Sequence, residues 1–163
     1  MLLVQPICAI LRAGATVLVA LVAGCTYDPA IHNAWEDAYI VVMLEPSTPA
    51  KLRLSLDAEG EPSAQRAACS LYVEFPPDSP ARGVELHASA PGFDESLVFV
   101  PTNTDPFIDF SDLVPQIPTT VVLDIEVLLR DGGAGEVTVA AYASVASLES
   151  DLELSLVFEE TPG

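Results

Sequence analysis

The stretch 120-TVVLDIEVLLR-130 decides the class of fold. Its apolar residues recur at every second position. Val121, Leu123, Ile125, Val127 and Leu129 share one face, and Asp124, Glu126 and Arg130 lie opposite. A period of two is that of an extended chain, in which successive side chains point to opposite sides; a helix would bring every third or fourth residue together. The same alternation runs through Lys51–Asp57, where Leu52, Leu54 and Leu56 oppose Lys51, Arg53, Ser55 and Asp57. It continues in Cys69–Phe75, in Val84, Leu86 and Ala88, in Val137–Ser147, and in Asp151–Glu159 with Leu152, Leu154, Leu156 and Phe158 inward. Ser96–Val100 and Phe107–Phe110 are shorter candidates. Ala38–Leu44 (AYIVVML) is a continuous apolar run, the pattern of a strand covered on both faces. Only Pro62–Ala68 (PSAQRAA) suggests a helix, short and opened by a proline in its first turn.

Turn chemistry supports the strands. The prolines beyond residue 25 cluster at 46–49, 76–80, 101–106 and 115–118, outside every expected strand, where no ladder donor is needed. Asp131-Gly132-Gly133-Ala134-Gly135 joins two long strands and supplies glycines able to take positive φ, so a hairpin is expected there. Seven to nine strands with such turns predict an all-β, antiparallel β-sandwich over residues 38–160, one domain. Gly135–Tyr142 (GEVTVAAY), followed by a last alternating strand, resembles the end of bacterial immunoglobulin-like modules, which implies an immunoglobulin-like sandwich. The Cys…Trp…Cys signature of that fold is missing, because Cys69 stands alone and Trp35 precedes the body.

Residues 1–24 have a different character. Their one charge is Arg12, and Ala13–Ala23 is an uncharged run of 11 residues. A membrane-spanning helix needs about 20 apolar residues, so this run has the length of a signal-peptide core instead. It closes on Val22-Ala23-Gly24-Cys25, which resembles the lipobox of bacterial lipoproteins: an aliphatic residue, two small residues, then cysteine. Val22 stands where leucine is more usual. The resemblance implies cleavage before Cys25, a diacylglycerol on its sulfur and an acyl chain such as palmitate on its amine. Two or three chains hold firmly where one is marginal, at about 0.8 kcal/mol per buried methylene. Thr26 rather than Asp in the next position implies sorting to the outer membrane. An ordinary secretory signal cut elsewhere and an uncleaved anchor are the alternatives. Residues 25–37 then read as a lipidated tether, in which Trp35 either docks on the domain or sits at the lipid interface.

Composition narrows the partners. All 24 acidic residues follow Cys25 and five of the six basic ones do, so the net charge of −18 becomes −19 without the leader. Such a charge repels phosphate backbones and anionic lipid, which excludes nucleic acid and leaves the acyl chains as the route to the membrane. It favours solubility, or attraction to cations or a basic partner. Cys8 leaves with the leader and Cys25 is lipidated, so Cys69 has no disulfide partner. Its place beside Leu71, Val73 and Phe75 reads as a buried small hydrophobe, with a reactive thiol as the other reading.

Chemistry-bearing motifs are sparse. His32 falls in the tether and His87 on the outward face of its strand; neither sits in H-E-x-x-H, and no G-x-S-x-G occurs. Aromatic residues are few, so no aromatic platform for a sugar is signalled. Asn103, Asp105, Asp109 and Asp112 share one loop and read as a solvated acidic segment or, less simply, a start on a calcium site. Glu149-Ser150-Asp151 with Glu153 is a similar acidic turn. No catalytic, cofactor or metal residue is assigned, and Cys25 alone receives a chemical role. The expectation is a membrane-anchored, non-enzymatic binding, adhesion or scaffold protein of the cell envelope, with a protein partner. A carboxylate-based or calcium-dependent envelope enzyme is the alternative.

Overall fold

A computed structural model describes residues 32–60, 65–102, 106–147 and 152–162. Residues 1–24, expected to be a leader, and Cys25 lie outside the described residues. Nine strands follow in chain order: β1 (His32–Leu44), β2 (Ala50–Glu59), β3 (Gln65–Glu74), β4 (Ala81–Ala90), β5 (Phe93–Phe99), β6 (Ile108–Asp109), β7 (Thr119–Gly132), β8 (Gly135–Ser147) and β9 (Glu153–Glu160). A 3-10 turn, Ser111–Leu113, follows β6. Every stretch expected to be extended from its alternation contains a strand.

The strands make two antiparallel sheets, ordered β1-β8-β3-β6 and β5-β4-β7-β2-β9, which pack as the expected sandwich. Val42, Leu44, Leu71, Val73, Val137 and Val139 face inward from the first. Leu52, Leu54, Leu56, Leu86, Leu123, Ile125 and Val127 face inward from the second. Each such side chain contributes roughly 1.5–3 kcal/mol by leaving water, and all belong to one continuous core.

The pairing has a simple logic. β1 pairs with β8, β2 with β7, β3 with β6, and β4 with β5. That is one long antiparallel ribbon with its tip at Pro91-Gly92, where Gly92 takes φ +80°. The ribbon is rolled so that alternate pairs fall in opposite sheets, and β8–β3 and β7–β4 ladders seal the roll. This is a jelly-roll arrangement, with β9 added beside β2. The immunoglobulin order keeps consecutive strands together as hairpins; among the described strands here, only β4 and β5 are consecutive and paired.

The Asp131–Gly135 link is therefore not a hairpin. β7 and β8 lie in different sheets, and the link carries the chain across. Gly132 has φ +91°, and a Cβ on it would stand 2.3 Å from the Pro80 carbonyl oxygen and 2.6 Å from the Arg82 nitrogen. The Gly133 N–H donates to that same Pro80 oxygen at 3.0 Å. Buried Ser79 donates its hydroxyl to the Glu136 carbonyl (2.7 Å) and accepts from the Ala81 N–H (3.3 Å). The β3–β4 and β7–β8 crossovers thus interlock.

Three further expectations change. Of the helix expected over Pro62–Ala68, residues 65–68 belong to β3, pairing with Ser144–Ser147 of β8, and residues 62–64 lie outside the described residues. Helix propensity amounts to tenths of a kcal/mol per residue and yields to a sheet that needs ladder partners. The tether expected over residues 25–37 is shortened, because His32–Asp37 pair with Tyr142–Ser147 as part of β1. Finally, β1 is not covered on both faces. It is the edge strand of its sheet, with Val42 and Leu44 buried, while Trp35, Tyr39, Val41 and Met43 are 63%, 74%, 50% and 58% exposed. β9, in the other sheet, runs in contact with β1, so it is the outer face of β1 that is open.

Candidate binding face

The outer surface of the four-stranded sheet follows from register. Alternate residues of β1, β8 and β3 align in rows across it: Trp35–Ser144–Ala68, Asp37–Tyr142–Ser70, Tyr39–Ala140–Tyr72 and Val41–Thr138–Glu74, with Met43–Glu136 closing the series. Three of the four tyrosines and the sole tryptophan of the chain therefore share one face. Ala140 is buried between Tyr39 and Tyr72. These two stand two strand spacings apart, roughly 10 Å, with the small residue in the strand between them.

Carboxylates border the rings. Asp37 lies between Trp35 and Tyr39 along β1, and Glu74 and Glu136 close one end. The Tyr72 hydroxyl feels them: its pKa is raised, first by burial and then by the negative charges of Glu74 and Asp37. Arg66 occupies the register position beyond Ala68 at the opposite end. The face thus interleaves aromatic rings with acid: Asp37 stands among the rings, Glu74 and Glu136 at one end, and Arg66 in register at the other.

The other outer face differs. On the five-stranded sheet Arg53 pairs with Asp124 (2.9 Å), Lys51 with Glu126 (3.9 Å), His87 with Asp94 (2.6 Å) and Arg130 with Glu85. His87 is outward and solvated as its alternation predicts, and an open groove runs past it beside Glu85, Asp94, Ser96, Glu126 and Arg130. Ser96 opposes His87 across the β4–β5 ladder, so serine, histidine and aspartate meet here. They do not form a nucleophilic relay: His87 Nε2 is engaged with Asp94, and Ser96 gives its hydrogen to Glu85 (3.2 Å). A hydroxyl whose hydrogen is directed at a carboxylate other than the base has no activated oxygen in this arrangement.

The acidic loop is put to structural use where it is described. Asp109 Oδ1 accepts from both the N–H (2.9 Å) and the hydroxyl (2.5 Å) of Ser111. Ser111 Oγ in turn accepts from the Cys69 N–H (2.8 Å). Asp109 so ties the 3-10 turn to β3. Asp112 is exposed, and Asn103 and Asp105 lie outside the described residues, as do Glu149–Asp151. Among the described residues no group of three or more His, Cys, Asp or Glu could hold a metal ion. Cys69 is buried and free, and its thiol is pushed up to about 12 by burial and secondarily by Asp109. It is the buried hydrophobe that its neighbours predict. Cys25 and the His32 side chain lie outside the described residues.

Sequence reasoning passed over the aromatic face because it read AYIVVML as buried on both sides. The signal was present in the spacing of Trp35 and Tyr39, which share parity with Tyr142 once β1 and β8 are in register. Comparison with protein-family models, curated proteins and solved structures finds no match.

Proposed function

We propose that this chain is a lipid-anchored protein of the bacterial envelope, held at the outer membrane through Cys25, that acts as a non-enzymatic binding module. The observation that carries the binding role is the exposed aromatic face of the four-stranded sheet. Soluble monomers rarely leave a contiguous apolar surface open without a use for it. The lipobox-like Val22–Cys25 supports the anchor, and six residues separate Cys25 from His32, a reach of roughly 20 Å when fully extended. Among the described residues the carboxylate-based alternative has the groove beside His87, whose acids already sit in ion pairs, and a shallow groove lined by Asp57, Glu59 and Glu153, where Asp57 already accepts from the Thr120 hydroxyl.

Cys25→Ser is the test of the anchor. The natural chain is expected to incorporate labelled palmitate and to fractionate with the outer membrane, and Cys25→Ser to lose the label and the membrane. Retention of both by Cys25→Ser overturns the anchor. Turnover of an envelope substrate by the purified chain overturns the non-enzymatic role.

A further inference from the structure

We infer that the outer face of β1, β8 and β3 receives a basic protein segment, whose arginine or lysine side chains lie on the tyrosine and tryptophan rings beside Asp37, Glu74 and Glu136. The inference deepens the binding-module reading and rests on it. Charge complementarity selects this occupant over the others that an apolar face could take. A second copy of the chain carries the same excess of acid, a net charge of −19 beyond the leader, so two such faces meet against overall like charge. An anionic lipid surface meets the same repulsion.

A cationic side chain gains twice on this face. A guanidinium or ammonium over an aromatic ring is attracted by the ring's quadrupole, most strongly where water is partly excluded. The row Tyr39–Ala140–Tyr72 supplies two such rings on either side of a small residue. Asp37 and Glu74 stand beside it, placed to meet the charge that the rings do not neutralise; their field already reaches the Tyr72 hydroxyl. Among the described residues the opposite sheet face also carries carboxylates without a basic partner, Asp57, Glu59 and Glu153, but no tyrosine, tryptophan or phenylalanine stands beside them. Affinity on the aromatic face is carried by rings and acids together, so it must fall when either is removed.

Trp35 is the only tryptophan of the chain and lies on the face, so its fluorescence reads the site directly. The probe is a deca-arginine peptide, titrated against the full chain in phosphatidylcholine vesicles. The expected result is a saturable change in Trp35 emission that weakens with salt. Tyr39→Ala, which leaves net charge unchanged, is expected to weaken binding about tenfold. Asp37→Lys, which leaves the rings in place, is expected to abolish it, and Asp57→Asn on the other sheet to leave it within about twofold. Far-UV circular dichroism checks that each variant is folded. Equal binding by Tyr39→Ala and the natural chain overturns the inference, because diffuse attraction to an acidic protein would then suffice. So does a Trp35 response to dilution of the protein, to brominated lipid chains without peptide, or to a neutral hexasaccharide in place of the peptide. Flotation of the vesicles reports the anchor separately, so loss of the anchor and loss of the face are told apart.

Discussion

Replacing Gly132 with alanine tests the rolled topology at its tightest point. The residue has φ +91°, where an L side chain costs roughly 1–2 kcal/mol relative to glycine. Its Cβ would also stand 2.3 Å from the Pro80 oxygen and 2.6 Å from the Arg82 nitrogen. Both are backbone atoms of the neighbouring crossover, so relief requires the two links to part, at a further ~1–3 kcal/mol by analogy with overpacked cores. Lost freedom in the unfolded chain returns about 0.4–1 kcal/mol. Gly132→Ala is therefore expected to destabilise by roughly 2–4 kcal/mol, which for a body of this size is a fall in Tm of roughly 8–15 °C. Gly133→Ala is the internal control. It adds the same methyl one residue on, where φ is not positive and the nearest atom is the Pro80 Cβ at 3.5 Å, an ordinary contact. Its Tm should stay within about 3 °C of the natural chain. Far-UV circular dichroism melts of the two variants settle the matter. Equal Tm values would refute the reasoning and return Asp131–Gly135 to a simple hairpin.

Two other outcomes follow from buried groups. Cys69 should resist a thiol reagent at pH 8 until the chain opens, with labelling slowed at least about 10³-fold relative to the chain in urea; fast native labelling would contradict its burial. Because its thiol pKa is raised from 9.0 to about 12, the native state holds that proton more tightly than the unfolded state does. Its contribution is complete below pH 9 and is lost as pH rises from 9 toward 12, so the urea midpoint should fall over that window more steeply than in Cys69→Ala. Ser79→Ala removes a donor from the Glu136 carbonyl and an acceptor from the Ala81 N–H in a buried corner, at about 1–3 kcal/mol by urea unfolding; a loss below about 0.5 kcal/mol would show that the two crossovers are not coupled through it.

Strand positions were legible in the sequence because alternation reflects a local cause. Leu52, Leu54 and Leu56 must share a face in any extended chain, whatever lies opposite. The order of the strands was not legible, because it is set by contacts far apart in the chain. Asp131–Gly135 has the composition of a hairpin turn, and nothing within it signals that Pro80 closes against Gly132. Gln65–Ala68 would suit a helix by itself and becomes strand because β8 extends as far as Ser147 and pairs with it. The tether failed for the same reason at the other edge: β8 is long enough to pair with His32–Asp37 as well as with Ala38–Leu44.

The misreading of β1 has a separate cause, and it bears on function. A run such as AYIVVML is ambiguous between a strand buried on both faces and one that exposes apolar residues, and burial is the cheaper assumption. The other sheet edges show how this chain treats exposed strands. β6 is two residues long, β5 exposes Asp94 and Glu95, and β9 exposes Glu153, Glu159 and Glu160. Short length and charge are the usual means of keeping an edge from associating. The half of β1 from Tyr39 to Leu44 has neither: it is uncharged, and Tyr39, Val41 and Met43 face solvent. A chain with 24 acidic residues had charge available for that surface, yet between Tyr39 and Leu44 it places none, and on this face it sets Asp37, Glu74 and Glu136 beside the rings. Solubility alone would favour acids in place of Tyr39, Val41 and Met43. Aromatic rings with acids beside them are instead the arrangement that attracts a cation from a distance and holds it by dispersion and cation–π contact on arrival, which is why a basic partner fits β1 better than solvent does.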